Sequence, residues 1–248
     1  MAIVAPVLEL LLRSAAQKPA PKRLCCLGYP DMLVTEAQLT KLCGADILQR
    51  IAYREDSATI LQWHGLAGRM TRLVESQSLF AALGIKTDFL DIHASRGIEI
   101  VADLNQPLAP DLCGHYDVIY DGGTLEHCFN VGQVMRNICM LGKVGAYIVH
   151  INPMNYYNHG FFNLNPTFYH DFYTQAGHRL ASEFYGVFGP PLETKLIKLP
   201  PLQGFNALPE RTALMVSAQK LNDAEPKWPL QSKYRANPEL KVDPQTSS

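Results

Sequence analysis

The sequence predicts a doubly wound α/β domain built on a mostly parallel, seven-stranded sheet, and three observations carry that expectation. Short apolar runs recur along the chain, separated by segments of helix length, which implies parallel strands joined by right-handed crossovers. Residues 116–153 read in order as strand, loop, helix, turn and strand, with Asp121-Gly122-Gly123 at the loop and Gly142 and Gly145 at the turn. The 248 residues are enough for one large domain with a substantial core.

At the N-terminus, Leu8, Leu11, Leu12 and Ala15 follow the spacing of a helix that docks one apolar face. Residues 1–12 lack a basic flank and carry Glu9 inside the apolar run, so a signal peptide is not expected. A breaker-rich linker closes this unit at residue 22. Residues 23–28 form the first strand, ending in Gly28-Tyr29-Pro30-Asp31. Thr35, Glu36 and Leu39 open a helix, and the apolar periodicity of residues 66–83, followed by Gly84, predicts another. Strands are expected at 87–93, 97–104, 117–120 and 146–151.

A helix with Pro166 in its first turn and Gly177 at its end follows. The last two strands are expected at 183–188 and 212–218. The Pro-rich segment 189–211 between them is too long for a tight hairpin and is expected to cover the mouth of a site. The domain therefore spans 23–220. Residues 221–248 are expected to be a loosely held tail with Trp228 and Tyr234 as its anchors.

With 22 basic against 23 acidic residues, the chain presents no broad positive field for a nucleic-acid backbone or an anionic membrane. Asn152-Pro-Met-Asn155 is only a partial echo of a base-flipping motif. No apolar run approaches the roughly 20 residues of a membrane-spanning helix. Cys25, Cys26, Cys43, Cys113, Cys128 and Cys139 form neither a CxxC pair nor a zinc-spaced cluster, so no metal is expected. Unpaired thiols suit a reducing cytosol, and a cytoplasmic location is expected.

In an open α/β sheet, ligands bind beyond the carboxyl ends of the strands, which places Asp121, Glu126 and His127 where chemistry is expected. The run from Tyr116 to His127, together with Asn158-His159-Gly160-Phe161 after the fifth strand, resembles class I S-adenosylmethionine-dependent methyltransferases. Within them it looks most like a bacterial subgroup with Asp-Gly-Gly-Thr-x-Glu-His after strand four. The resemblance spans roughly residues 23–220. It implies a Rossmann-like methyltransferase fold with an N-terminal helix and an inserted helical segment, and S-adenosyl-L-methionine as cofactor.

By position, the resemblance assigns Gly28 and Tyr29 to the methionine moiety, Asp91 to the ribose hydroxyls, and Asp103 and Leu104 to the adenine. Asp121, Gly122 and Gly123 fall beside the sulfonium. The sequence departs from the family at Cys26, where an acid is usual, and at Pro30, where a glycine is usual and whose ring removes a backbone amide. Asp88 competes with Asp91.

Asn155, Tyr156, Tyr157, Asn158 and Phe161 are the candidate acceptor-binding residues, offering stacking surface and hydrogen bonds. His127 and His159 are alternative proton acceptors, since a neutral imidazole accepts a proton near pH 7. Glu126 is the third candidate. Each of these also has a purely structural reading.

The expected activity is O-methylation of a small-molecule or glycan-type acceptor. N-methylation, and a catalytically inactive methyltransferase-like binding subunit, are the alternatives. A nucleotide-dependent oxidoreductase is disfavoured by the absence of G-x-G-x-x-G after the first strand. Self-association as a homodimer is open.

Overall fold

The first strand of the chain's main sheet sits at its middle, and the order of strands reverses there. The computed structural model describes residues 2–236. In chain order the elements are β1 (Ala2–Val4), α1 (Ala5–Ala16), β2 (Lys22–Leu27), β3 (Asp31–Leu33), α2 (Glu36–Cys43), α3 (Ser57–Trp63), α4 (Ser76–Ala82), β4 (Ile85–Asp91) and β5 (Ile100–Val101). There follow β6 (Tyr116–Asp121), α5 (Val131–Leu141), β7 (Gly142–Pro153), α6 (Pro166–Gln175), β8 (Arg179–Leu180), β9 (Phe184–Phe188), β10 (Lys195–Leu199), β11 (Ala213–Gln219) and α7 (Ser232–Arg235).

The main sheet runs β10-β9-β11-β7-β6-β2-β4-β5, with β8 also on β11. Strands β5, β4, β2, β6 and β7 pair in parallel, and β11 is antiparallel to both β7 and β9. The fold is therefore the doubly wound, mostly parallel α/β sheet expected, with the seven anticipated strands extended by β8 and β10. Between β2 and β6 the crossovers leave in opposite directions, which opens a crevice at their carboxyl ends.

Alternation along the strands assigns the two faces. On β6, Val118 and Tyr120 pack with Leu8, Leu11, Leu39 and Phe80, under α1, α2 and α4. Ile119 faces Val134, Ile138, Tyr169 and Phe172, under α5 and α6. Every residue of β6 is buried, as a central parallel strand requires. Cys26 lies in the α1 layer and is fully buried. Helix α1 docks through Val7, Leu8, Leu11 and Ala15, and β1 ahead of it pairs in parallel with β3.

Four local expectations are corrected. The periodicity of residues 66–83 does not make one helix. Gly65 and Gly68 adopt φ of +65° and +79°, and the chain unwinds around them. Leu66 and Leu73 instead fill a small separate core with Leu33, Ile60 and Leu61. Helix α4 starts only at Ser76, where the Glu75 side chain accepts from the amides of Gln77 and Ser78.

The third strand shrinks to two residues. Glu126 and His127 occupy a single 3-10 turn, Leu125–His127, and α5 starts later, capped by the Asn130 side chain. Finally, segment 189–211 contains β10, paired antiparallel with β9. No helix among the described residues is long and apolar enough to cross a membrane. The tail is tied to α6 by Ser232, whose amide donates to Asp171 Oδ2 at 2.7 Å. Trp228, 61% exposed, lies against Gly132, and Tyr234 is exposed. The tail expectation for residues 237–248 lies outside the described residues.

Candidate functional site

Two clefts open at the strand-order reversal. The smaller, about 380 Å³, is bounded by the end of β4, the loop after β5 and the turn after β2. Gly28, at φ +84°, donates its amide to Leu90 O at 2.5 Å and bends the chain away from β2. Tyr29 stacks on Phe89 with ring centroids 4.4 Å apart and carries the Arg96 guanidinium 4.2 Å above its ring.

Asp91 closes β4, and one of its oxygens accepts from the His93 amide at 3.2 Å. Asp103 holds the next loop by accepting from Asn105 N and Nδ2, both at 2.9 Å. Neither second oxygen has a protein partner among the described residues. Leu104 is buried and supplies an apolar wall. Asp88 does not compete for this cleft, because it is engaged by Arg23 at 2.8 Å further down β4.

The larger cleft, about 800 Å³, lies across the β6 loop and is walled by β1, β7, β9 and segment 189–211. Gly123 and His127 line both clefts. The loop between them needs its glycines. A Cβ on Gly122 would stand 2.4–2.5 Å from the ring of Tyr120, whose hydroxyl donates to Ala2 O. Gly122→Ala is therefore expected to lower stability by about 1–3 kcal/mol through overpacking, read as a lower denaturation midpoint at an unchanged m-value. Gly123, at φ +92°, leaves only 3.1 Å between a built Cβ and Glu126 Oε1.

Beneath the loop lies a buried polar network. Asp121 Oδ1 accepts from Thr124 N and Leu125 N at 3.1 and 3.2 Å. Its Oδ2 pairs with His150 Nδ1 at 2.8 Å and accepts from Asn152 Nδ2 at 3.0 Å. Asn152 also donates to Glu126 Oε2 at 3.0 Å and accepts from Tyr169 OH at 2.6 Å. His150 Nε2 meets Tyr173 OH at 2.6 Å, so Nδ1–H toward Asp121 with Nε2 accepting is the tautomer that satisfies both partners.

Above the network, Glu126 Oε1 stands 3.9 Å from His127 Nε2 and 3.8 Å from His159 Nε2. The two imidazoles meet edge to face at 5.0 Å. The segment carrying His159 is fixed here because Phe161 N donates to Glu126 O at 2.8 Å and Gly160 leaves no room for a Cβ against that same carbonyl. Burial, with Asp121 nearby, pushes the Glu126 carboxyl up to about 7. Desolvation holds both imidazoles below their ordinary value; the neighbouring His159 adds to this at His127, and Arg211 adds to it at His159.

The three candidate catalytic residues are thus brought together, although His159 is remote in sequence. Gly28, Tyr29, Asp91, Asp103, Leu104 and Gly123 share the smaller cleft, while Gly122 lines the larger one. Asp121 reaches neither, since its carboxyl points into the core. Of the acceptor-binding candidates, only Tyr156 lines the larger cleft, with the Arg211 guanidinium 5.1 Å above its ring.

Asn155 is turned to Pro209 O and Thr212 N, where it fixes the strand exit. Tyr157 is 92% exposed, Asn158 adopts φ +52° in the turn, and Phe161 packs edge-on to Phe129 at the surface. Asn152, expected with the polar-aromatic cluster of the acceptor site, is instead buried in the network, and sequence reasoning missed His150, Arg211 and a His64–Asp31 pair (2.9 Å) whose His64 lines the opposite wall of the larger cleft. The polar pair His150 and Asn152, at i and i+2 in an apolar strand, was the available signal for the network.

No family description matches the sequence, and no curated protein matches it. Solved structures with partial similarity include three methyltransferases. The methyltransferase domain of the citrinin polyketide synthase shares 12% identity over 88% of this chain and 52% of its own, with a TM-score of 0.47. The CurJ carbon methyltransferase shares 11% over 88% of this chain and 54% of its own, at 0.47. A SAM-dependent methyltransferase from Archaeoglobus fulgidus shares 11% over 87% and 94%, at 0.47. The chain thus spans about half the length of the first two. At such identities and TM-scores these likenesses assign the chain no role, and what it does is read from its clefts.

Proposed function

We propose that this chain is an S-adenosyl-L-methionine-dependent methyltransferase that methylates an oxygen of a small-molecule or glycan-type acceptor. The observation that carries the reading is the meeting of two clefts at Gly123 and His127, one suited to an adenosyl group and the other to an acceptor. The smaller cleft fits the cofactor chemically. Asp91 offers a carboxylate to a vicinal diol, Asp103 an acceptor for an exocyclic amine, and Leu104 an apolar cover. Gly123 keeps a Cβ out of the passage between the clefts.

Bound there, the sulfonium supplies an electrophilic methyl group. The chain's own task is alignment, since holding the reacting groups in line removes most of the entropic barrier. Tyr156 and Arg211 orient the acceptor, and segment 189–211 screens the cleft from water. His127 or His159 takes the acceptor proton, with Glu126 steadying the imidazolium that forms. The cysteine in place of the family's acid lies in the α1 layer, away from both clefts.

Calorimetric titration with S-adenosyl-L-methionine and with S-adenosylhomocysteine tests the cofactor site. Asp91→Ala is expected to weaken both about 10- to 100-fold, the loss of one or two hydrogen bonds to a charged group. No heat for either ligand on folded protein would overturn the reading. Binding without transfer to any hydroxyl acceptor would favour the inactive binding subunit. Transfer to amines alone would favour N-methylation.

A further inference from the structure

We propose that Glu126, His127 and His159 form a binding site for one first-row divalent cation of the zinc type, with its open coordination positions facing the larger cleft. One carboxylate oxygen and two imidazole nitrogens all lie within 4.8 Å of one another. Glu126 Oε1 is 3.9 and 3.8 Å from the two Nε2 atoms. In a tetrahedral site with metal–ligand bonds near 2.0–2.1 Å, ligand atoms stand roughly 3.4 Å apart, so the carboxylate and each imidazole need to close by about half an ångström and the two imidazoles, within 4.8 Å of each other, by up to about 1.4 Å.

The donor set suits such an ion. Two imidazoles with one carboxylate are the protein ligands of zinc and iron sites that keep positions free for water or substrate. The carboxylate is anchored before any ion arrives. Its second oxygen accepts from Asn152 Nδ2 at 3.0 Å, and Asn152 is in turn fixed by Tyr169 OH at 2.6 Å. Partners of this kind orient metal ligands. The His159 segment is pinned to the same residue through Phe161 N and the missing Cβ of Gly160, so two distant parts of the chain are held in register at this point.

Glu126 is 1% exposed, whereas both imidazoles keep nearly half of their side-chain surface, and Glu126 and His159 line only the larger cleft while His127 borders both. All three meet in the 800 Å³ cleft, where Arg211 adds a second cationic group. The geometry suits an oxygen-rich, anionic acceptor whose hydroxyl or carboxylate oxygen completes the coordination. The site uses the same three side chains as the methyl-transfer reading, and an imidazole whose Nε2 holds an ion is not free to take a proton, so the metal alone is the probe that tests it independently of turnover.

The test is a titration of Co2+ and of Zn2+ into the full chain stripped with a chelator, followed by calorimetry and visible absorption. One ion per chain is expected, with Co2+ bands of nitrogen and oxygen ligation. His127→Ala and His159→Ala should each weaken binding by about 100-fold or more, and Asn152→Ala by about 10- to 100-fold. The two histidines are exposed, so their variants are expected to fold, which far-UV circular dichroism checks.

Three results would overturn the site. These are no saturable binding of either ion, near-ultraviolet thiolate bands that assign the ion to cysteines, and affinity unchanged in the His127→Ala/His159→Ala double variant.

Discussion

Asp121→Ala is expected to cost about 3–5 kcal/mol of stability, a large fraction of the roughly 5–15 kcal/mol that holds a typical domain folded. The side chain is fully buried and collects four donors: two backbone amides, the His150 imidazole and the Asn152 amide. Removing it strands those donors where water cannot reach them, and each orphaned group carries a desolvation penalty of about 1–3 kcal/mol. Asp121→Asn should be nearly as damaging, because its amide must turn an N–H toward one set of donors.

Asp103→Ala is the control. Its carboxyl sits on an exposed loop and serves only Asn105, so its effect on unfolding should stay within about 1 kcal/mol. Urea denaturation of the three variants decides the matter. An Asp121→Ala stability within about 1 kcal/mol of the wild type would mean that the network beneath the β6 loop is dispensable.

Asp121 also marks where the sequence became hard to read. Its place after a strand and before two glycines is legible, and the strand, the loop and the reversal of strand order are where those residues suggested. Which way its carboxyl points is not legible, because that depends on His150 and Asn152 arriving from β7. The strands could be read because each is a short apolar run, those of the parallel half being buried on both faces. Residues 66–83 could not. Their leucines recur at helical spacing, yet the glycines at 65 and 68 supply positive φ and the same side chains fill a separate small core.

The site divides in the same way. Asp91, Asp103 and Gly123 were assigned by the family resemblance and His127 by its place beyond a strand end, and all four line the smaller cleft. The acceptor side was harder, because residues 155–161 form an irregular segment in which neighbours alternate between cleft, turn and surface. Tyr156 faces inward while Tyr157 next to it is almost wholly exposed. Glu126 and His159 meet through a backbone hydrogen bond between segments more than thirty residues apart. Only the folded chain brings that contact about. The Glu126 carboxyl then becomes the group through which stability and chemistry oppose each other.

Glu126→Gln should raise stability at pH 8 by about 3 kcal/mol while abolishing turnover. Burial lifts this carboxyl from 4.5 to about 7. A tenfold difference in proton affinity between the folded and unfolded chain corresponds to about 1.4 kcal/mol. The sign follows from proton binding. Between 4.5 and about 7 the folded chain holds a proton that the unfolded chain has released, so stability falls as pH rises through this window and is lowest above it. Glutamine keeps the shape and the acceptor for Asn152 without the charge.

The gap between variant and wild type should therefore be near zero below pH 4.5, widen through neutrality and level off by about pH 8. Denaturation curves collected in EDTA at about pH 5.5, 7 and 8 measure it without interference from a bound ion. Turnover of the wild type, if the ionised carboxylate steadies the imidazolium, should climb over the same interval in which the fold weakens. A gap that stays constant with pH would show that Glu126 is ionised throughout. In that case the carboxyl would be solvated more fully than its 1% exposure allows, and the trade between stability and activity at this residue would not exist.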